Sequence, residues 1–103
     1  MLEIDIQLSY GAVTRNVVRA VEQSCVAAGL TRHSRGALAK YPGCIHLHYR
    51  KGREPGTLEI TFWPKQSRLW FKVHPRRRAP WMDFILPRLR ASIESRLNSP
   101  SVP

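Results

Sequence analysis

Leu2, Ile4, Ile6, Leu8 and Tyr10 alternate with Glu3, Asp5, Gln7 and Ser9, a period of two that predicts a half-buried strand over residues 2–10. After Gly11 the period changes. Val13, Val17, Ala20, Val21, Ser24, Cys25 and Ala28 share one face at helical spacing, opposite Arg15, Asn16, Arg19, Glu22 and Gln23. Gly29 suits the left-handed residue that ends a helix, so the spacing predicts a helix over residues 12–28. Residues 31–43 show no period and read as a loop.

Alternation then returns three times. Ile45, Leu47 and Tyr49 oppose His46, His48 and Arg50; Leu58, Ile60 and Phe62 oppose Thr57, Glu59, Thr61 and Trp63; Leu69, Phe71 and Val73 oppose Arg68, Trp70, Lys72 and His74. The connectors Lys51–Gly56 and Pro64–Ser67 carry turn-forming Gly and Pro, which predicts an antiparallel meander. From Pro80, an apolar stripe of Trp81, Met82, Ile85, Leu86, Leu89, Ile93 and Leu97 predicts a second helix ending near Asn98. Pro87 interrupts it and predicts either a kink or a start near Phe84.

The order β-α-β-β-β-α predicts a single two-layer α+β domain over residues 1–98, with 99–103 as a flexible C-terminal tail. Its sheet is expected to be four-stranded and mainly antiparallel, with both helices on one face and the other face open. Pairing apolar with apolar residues sets the register of the last three strands. Phe62 then lies opposite Leu69, Ile60 opposite Phe71, Leu58 opposite Val73 and Tyr49 opposite Leu58. The same register aligns His48, Glu59 and Lys72 in one row of the open face, and His46, Thr61 and Trp70 in the next.

Composition sharpens the functional reading. The 103 residues include 17 Lys and Arg against 7 Asp and Glu, for a net charge of +10. The excess is concentrated in residues 31–53 and 64–79, neither of which contains an acidic residue. A local field of one sign attracts an acidic partner. The expected contact residues for nucleic acid, RNA ahead of DNA, are Arg76, Arg77 and Arg78 before the second helix, together with Lys72, Trp70, Arg68, Trp63, His46, His48, Arg50, Lys51 and Arg53 on or beside the open face. On such a face flat rings stack on bases while cations meet phosphates. The rival expectation is an assembly subunit that docks to a protein partner, or to a second copy, through the open face or an edge strand.

From the first helix onward, the order α-β-β-β-α resembles that of double-stranded RNA-binding domains, with Arg76, Arg77 and Arg78 where that family carries basic residues before its last helix. The loop Lys51–Gly56 departs from the family's Gly-Pro-x-His pattern, and the strand over residues 2–10 is an addition.

No catalytic residue, cofactor or metal ligand is assigned. His48 beside Glu59 offers an oriented base, but no nucleophile or oxyanion donor is placed by spacing. Cys44 and His48 lie about 13 Å apart at strand rise, too far to share one ion with His46. A His46–His48 pair needs Glu59 or His74 to complete a metal site. Phosphate-loop, dinucleotide, CxxC and HExxH signatures do not occur. Two isolated cysteines, an N-terminus unlike a secretory signal and the lack of an apolar run of roughly 18 residues predict reduced thiols, no membrane insertion and a cytoplasmic location.

Overall fold

The computed structural model describes residues 2–9 and 11–98. In chain order the elements are β1 (Leu2–Ile6), α1 (Thr14–Ala27), β2 (Thr31–Gly36), β3 (Ile45–Arg50), β4 (Leu58–Trp63), β5 (Arg68–Val73) and α2 (Pro80–Asn98), with 3-10 turns at Pro64–Gln66 and Pro75–Arg77. The strands form one antiparallel sheet in the order β1-β5-β4-β3-β2. The class is therefore α+β, as the periodicity predicts, but the sheet has five strands and the order is β-α-β-β-β-β-α.

The additional strand, β2, lies inside the segment expected to be a loop. All six of its residues are exposed. A strand that buries neither face has no reason to alternate, so its sequence carries no period of two. Backbone pairing to β3 holds it, with a register shift between Arg32 and Ser34. This strand also breaks the α-β-β-β-α order on which the likeness to double-stranded RNA-binding domains rests.

β1 is shorter than its alternation. Ile6 lies opposite Leu69, and β5 begins one residue earlier, after Ser67 in the left-handed conformation with φ of 47°. The Gln7 N–H turns from β5 and donates to Glu94 Oε2 of α2 at 2.7 Å. Tyr10 and the expected tail over 99–103 lie outside the described residues.

The core forms between the sheet and both helices. Leu47, Tyr49, Leu58, Ile60, Phe62, Leu69, Phe71 and Val73 pack with Val17, Val21 and Cys25 of α1 and with Met82, Leu86, Leu89 and Ile93 of α2. α2 begins at Pro80, not near Phe84, and continues through Pro87. An interior proline costs about 3 kcal/mol. Buried Trp81, Met82, Ile85 and Leu86 before it, and Leu89 and Ile93 after it, each contribute roughly 1.5–3 kcal/mol by leaving water, so packing outweighs the lost bond.

The register of β3, β4 and β5 follows the apolar pattern: Tyr49 faces Leu58, His48 faces Glu59, His46 faces Thr61, Thr61 faces Trp70 and Glu59 faces Lys72. The second sheet face, however, is not open. The segment between β2 and β3 crosses it, bringing the Tyr41 ring 5.1 Å from both Trp63 and Trp70. Trp63 Nε1 donates to the Pro42 carbonyl at 2.9 Å, and the buried Cys44 Sγ accepts from the Leu38 N–H at 3.2 Å. Trp70 is left 1% exposed. Both cysteines are buried free thiols. Among the described residues no helix is long and apolar enough to cross a membrane.

Candidate functional site

Beside the segment that covers Trp70, the same sheet face stays partly accessible at its other end. Alternation along β3 turns His46 and His48 to this face, and alternation along β4 turns Glu59 and Thr61 beside them. One residue past β5, His74 extends the outward row of Trp70 and Lys72. Together they form a floor. His46 Nε2 lies 2.9 Å from His48 Nε2 and 3.0 Å from Glu59 Oε1, while His48 Nε2 is 3.7 Å from that same oxygen. On the far side, His46 Nδ1 is 2.7 Å from Thr61 Oγ1. Glu59 Oε2 lies 2.9 Å from His74 Nε2 but outside the alignment of a hydrogen bond.

This floor lines a cavity of about 590 Å³, whose remaining walls are Leu38, Pro75, Arg76 and Arg77. That volume is typical of small-ligand sites. Glu59 is a buried carboxylate whose close ring-nitrogen neighbours among the described residues are His46, His48 and His74. Lys72, aligned with it in the expected row, stands opposite in register but is not among those neighbours. Burial pushes the His46 pKa below the ordinary histidine value, against the attraction of Glu59. Burial also lowers His48, aided by the positive charge of Arg77, His33 and Arg50 and opposed by Glu59. Both shifts favour the neutral ring, which keeps a lone pair for a ligand.

The arginine-rich segment is held in place by its neighbours. Gly56 has φ of +105°, and a Cβ there would stand 2.8 Å from Ala79 Cβ and 2.9 Å from the Arg77 carbonyl oxygen. Only glycine tolerates both the conformation and the approach. Next to it, the Thr57 N–H donates to the Arg77 carbonyl at 3.1 Å, and Trp81 Nε1 donates to the Pro55 carbonyl at 2.9 Å. The β3–β4 connection thereby fixes where Arg76 and Arg77 project.

The expected contact residues are not brought to one surface. Arg76 and Arg77 are exposed and meet His46 and His48 at the cavity. Arg78 instead pairs with Asp83 at 2.7 Å. Arg68 stacks 4.1 Å above the Trp70 ring while its Nε donates to Asp5 at 3.0 Å and its NH2 to Glu3 at 3.4 Å, so it is an internal brace. Trp70 is sealed beneath Tyr41 and Arg68, and Trp63 is half-buried against the same segment, which removes Trp70 from any stacking role. Lys72 is half-buried, Arg50 ends β3, Lys51 pairs with Glu54 at 3.6 Å, and Arg53 is exposed in the turn after it.

Glu59, Thr61, His74, Leu38 and Pro75 belong to the site but not to the expected contact set. The register already places Glu59 beside His48 and Thr61 beside His46, and one more step along β5 reaches His74. Leu38 had no such signal, because its segment has no period. Comparison with known proteins finds no matching family model, curated sequence or solved structure, so the chemistry of this site rests on its own geometry.

Proposed function

We propose that the protein binds nucleic acid, single-stranded RNA ahead of DNA, with a phosphate seated between Arg76 and Arg77 at the mouth of the histidine-floored cavity. One observation carries this reading: two exposed arginines and three histidines converge on a single cavity whose only carboxylate, Glu59, is buried at its floor. The mouth is thus cationic, and its volume suits one nucleotide. Single-stranded RNA is favoured because its unstacked nucleotides can enter a recess that a duplex cannot. Leu38 and Pro75 offer the apolar wall for a base or sugar in place of the buried Trp70.

A salt titration with labelled single-stranded RNA, single-stranded DNA and duplexes tests the proposal. Affinity is expected to fall with log salt by about 0.7 per neutralised phosphate on a single strand. Arg76→Ala with Arg77→Ala is expected to flatten that slope by roughly 0.7, as loss of the one phosphate they share requires. Binding weaker than about millimolar near physiological salt, or an unchanged slope in the double variant, overturns it.

A second reading has its own observation. β2 is an edge strand with every residue exposed, and Arg32, His33 and Arg35 lie along it. An acidic extended peptide would add to that edge by backbone pairing. Amide shifts that move along β2 on adding an acidic peptide, while the cavity stays silent, would favour this reading over nucleic acid.

A further inference from the structure

The floor of the cavity brings three metal-ligand atom types together. Two imidazole Nε2 atoms stand 2.9 Å apart, and both face Glu59 Oε1, at 3.0 Å and 3.7 Å. A proton on His46 Nε2 can be directed at His48 or at Glu59. The neighbour left over then meets an unshared lone pair or a second N–H. A cation at the centre of the triangle is attracted by all three atoms.

We propose that His46 Nε2, His48 Nε2 and Glu59 Oε1 form a binding site for a divalent transition-metal ion, zinc being the best fit, with a fourth position open to the cavity. The donor set is two imidazoles and one carboxylate, the kind of set that three-ligand zinc sites use. Bonds of about 2.0–2.1 Å in tetrahedral geometry put ligand atoms about 3.3 Å apart, and the three observed separations straddle that value. Small shifts of side chains already in place therefore suffice to seat the ion.

The surrounding groups are those a metal ligand needs. With Nε2 on the metal, His46 must carry its proton on Nδ1, and Thr61 Oγ1 is 2.7 Å away to accept it. The other oxygen of Glu59 is buried without a hydrogen bond but lies 2.9 Å from His74 Nε2, so a small turn of that ring makes the bond that orients a ligating carboxylate. Glu59 is 5% exposed and Thr61 fully buried, so the ligands sit on rigid strands with little freedom to disperse. Hard cations such as magnesium are disfavoured, because they take oxygen ligands and the site offers one oxygen against two nitrogens. The proposal does not depend on nucleic-acid binding, since the metal alone is the probe.

The full chain, free of any histidine tag, is stripped with chelator and titrated with Zn2+ and separately with Co2+. One Zn2+ per chain is expected to remain after desalting, with a dissociation constant at or below micromolar. Co2+ is expected to give intense visible absorption of a four- or five-coordinate site, unlike its weakly absorbing hexaaqua ion. His48→Ala, at a half-buried position that tolerates truncation, is expected to weaken Zn2+ binding at least 100-fold with the far-UV spectrum unchanged. His74→Ala is expected to weaken it about 10-fold or more while keeping the cobalt spectrum, which separates support from ligation. Should His46→Ala or Glu59→Gln fail to fold, His48→Ala and the cobalt spectrum still decide. Fewer than one Zn2+ per five folded chains, a cobalt spectrum like that of the free ion, or full affinity in His48→Ala overturns the site. If zinc binds while RNA does not, the metal site stands and the nucleic-acid reading falls; the reverse result separates them the other way.

Discussion

At the scale of single residues, burial decides which groups are available for chemistry. Cys25 lies wholly within the core, and burial, with the nearby charge of Glu22, pushes its pKa up to about 12 from 9.0. Below pH 9 the thiol is neutral in folded and unfolded chains alike, so it adds no pH dependence. Between 9 and 12 the unfolded chain releases a proton that the folded chain keeps, and stability falls by about 1.4 kcal/mol per pH unit. Burial raises Tyr49 as well, and its contribution starts from 10.0, one unit later. Urea midpoints are therefore expected to drop between pH 9 and 10 in the native chain and to hold nearly level over that interval in Cys25→Ala. A parallel drop in both would assign the alkaline loss to other groups. Thr61 illustrates the same rule with a hydroxyl. Thr61→Val keeps the shape but leaves His46 Nδ1 without its partner, at a cost of about 1–3 kcal/mol by chemical denaturation. An unchanged stability would mean that the His46 ring finds another partner.

At the scale of elements, the loops and not the strands decide what reaches solvent. Gly56 is the clearest case, because its φ is positive and a methyl group there would stand 2.8 Å from Ala79 Cβ. Gly56→Ala is expected to cost about 2–4 kcal/mol and to displace Arg77, so that nucleic-acid affinity falls together with the thermal midpoint. An unperturbed midpoint would show that the β3–β4 turn shifts freely and does not fix the arginine segment. Tyr41→Ala removes the lid over Trp70 and is expected to move tryptophan emission to longer wavelength with a loss of about 1–3 kcal/mol. An unchanged emission maximum would show that Arg68 alone covers the indole. These two loops also mark where the sequence was legible and where it was not. The helices, the three central strands and their register follow from apolar periodicity, since each buries one face and must repeat with the period of its backbone. β2 buries no face and so left no period, and the segment after it covers Trp63 and Trp70 mainly through Tyr41 and Pro42, too few residues to form a pattern. The cluster of His46, His48 and Glu59 could be read in part because cross-strand register alone brings it together. The burial of Trp70 could not, because it depends on where an aperiodic segment comes to rest.

At the scale of the whole molecule, a net charge of +10 on a chain with a radius of gyration of 13.2 Å is a self-repulsion that folding concentrates. Treated as a charged sphere against its expanded unfolded chain, it destabilises the folded state by about 5 kcal/mol at ~10 mM salt and about 3 kcal/mol at ~150 mM. Screening also weakens the ion pairs that run the other way, among them Arg68 with Glu3 and Asp5, Arg78 with Asp83, and Arg90 with Glu94. Exposed pairs of this kind are worth about 0–1 kcal/mol each before screening and lose only part of that. Repulsion therefore outweighs pairing, and added sodium chloride is expected to raise the melting temperature by several degrees between these two concentrations. A melting temperature that falls instead would mean that the ion pairs dominate and that the basic segments are already neutralised within the fold. Bound polyanion relieves the same repulsion locally, so RNA at low salt is expected to raise the melting temperature of the native chain more than that of Arg76→Ala with Arg77→Ala. An equal rise in both would place the relief on the diffuse field of the molecule, not on the cavity mouth.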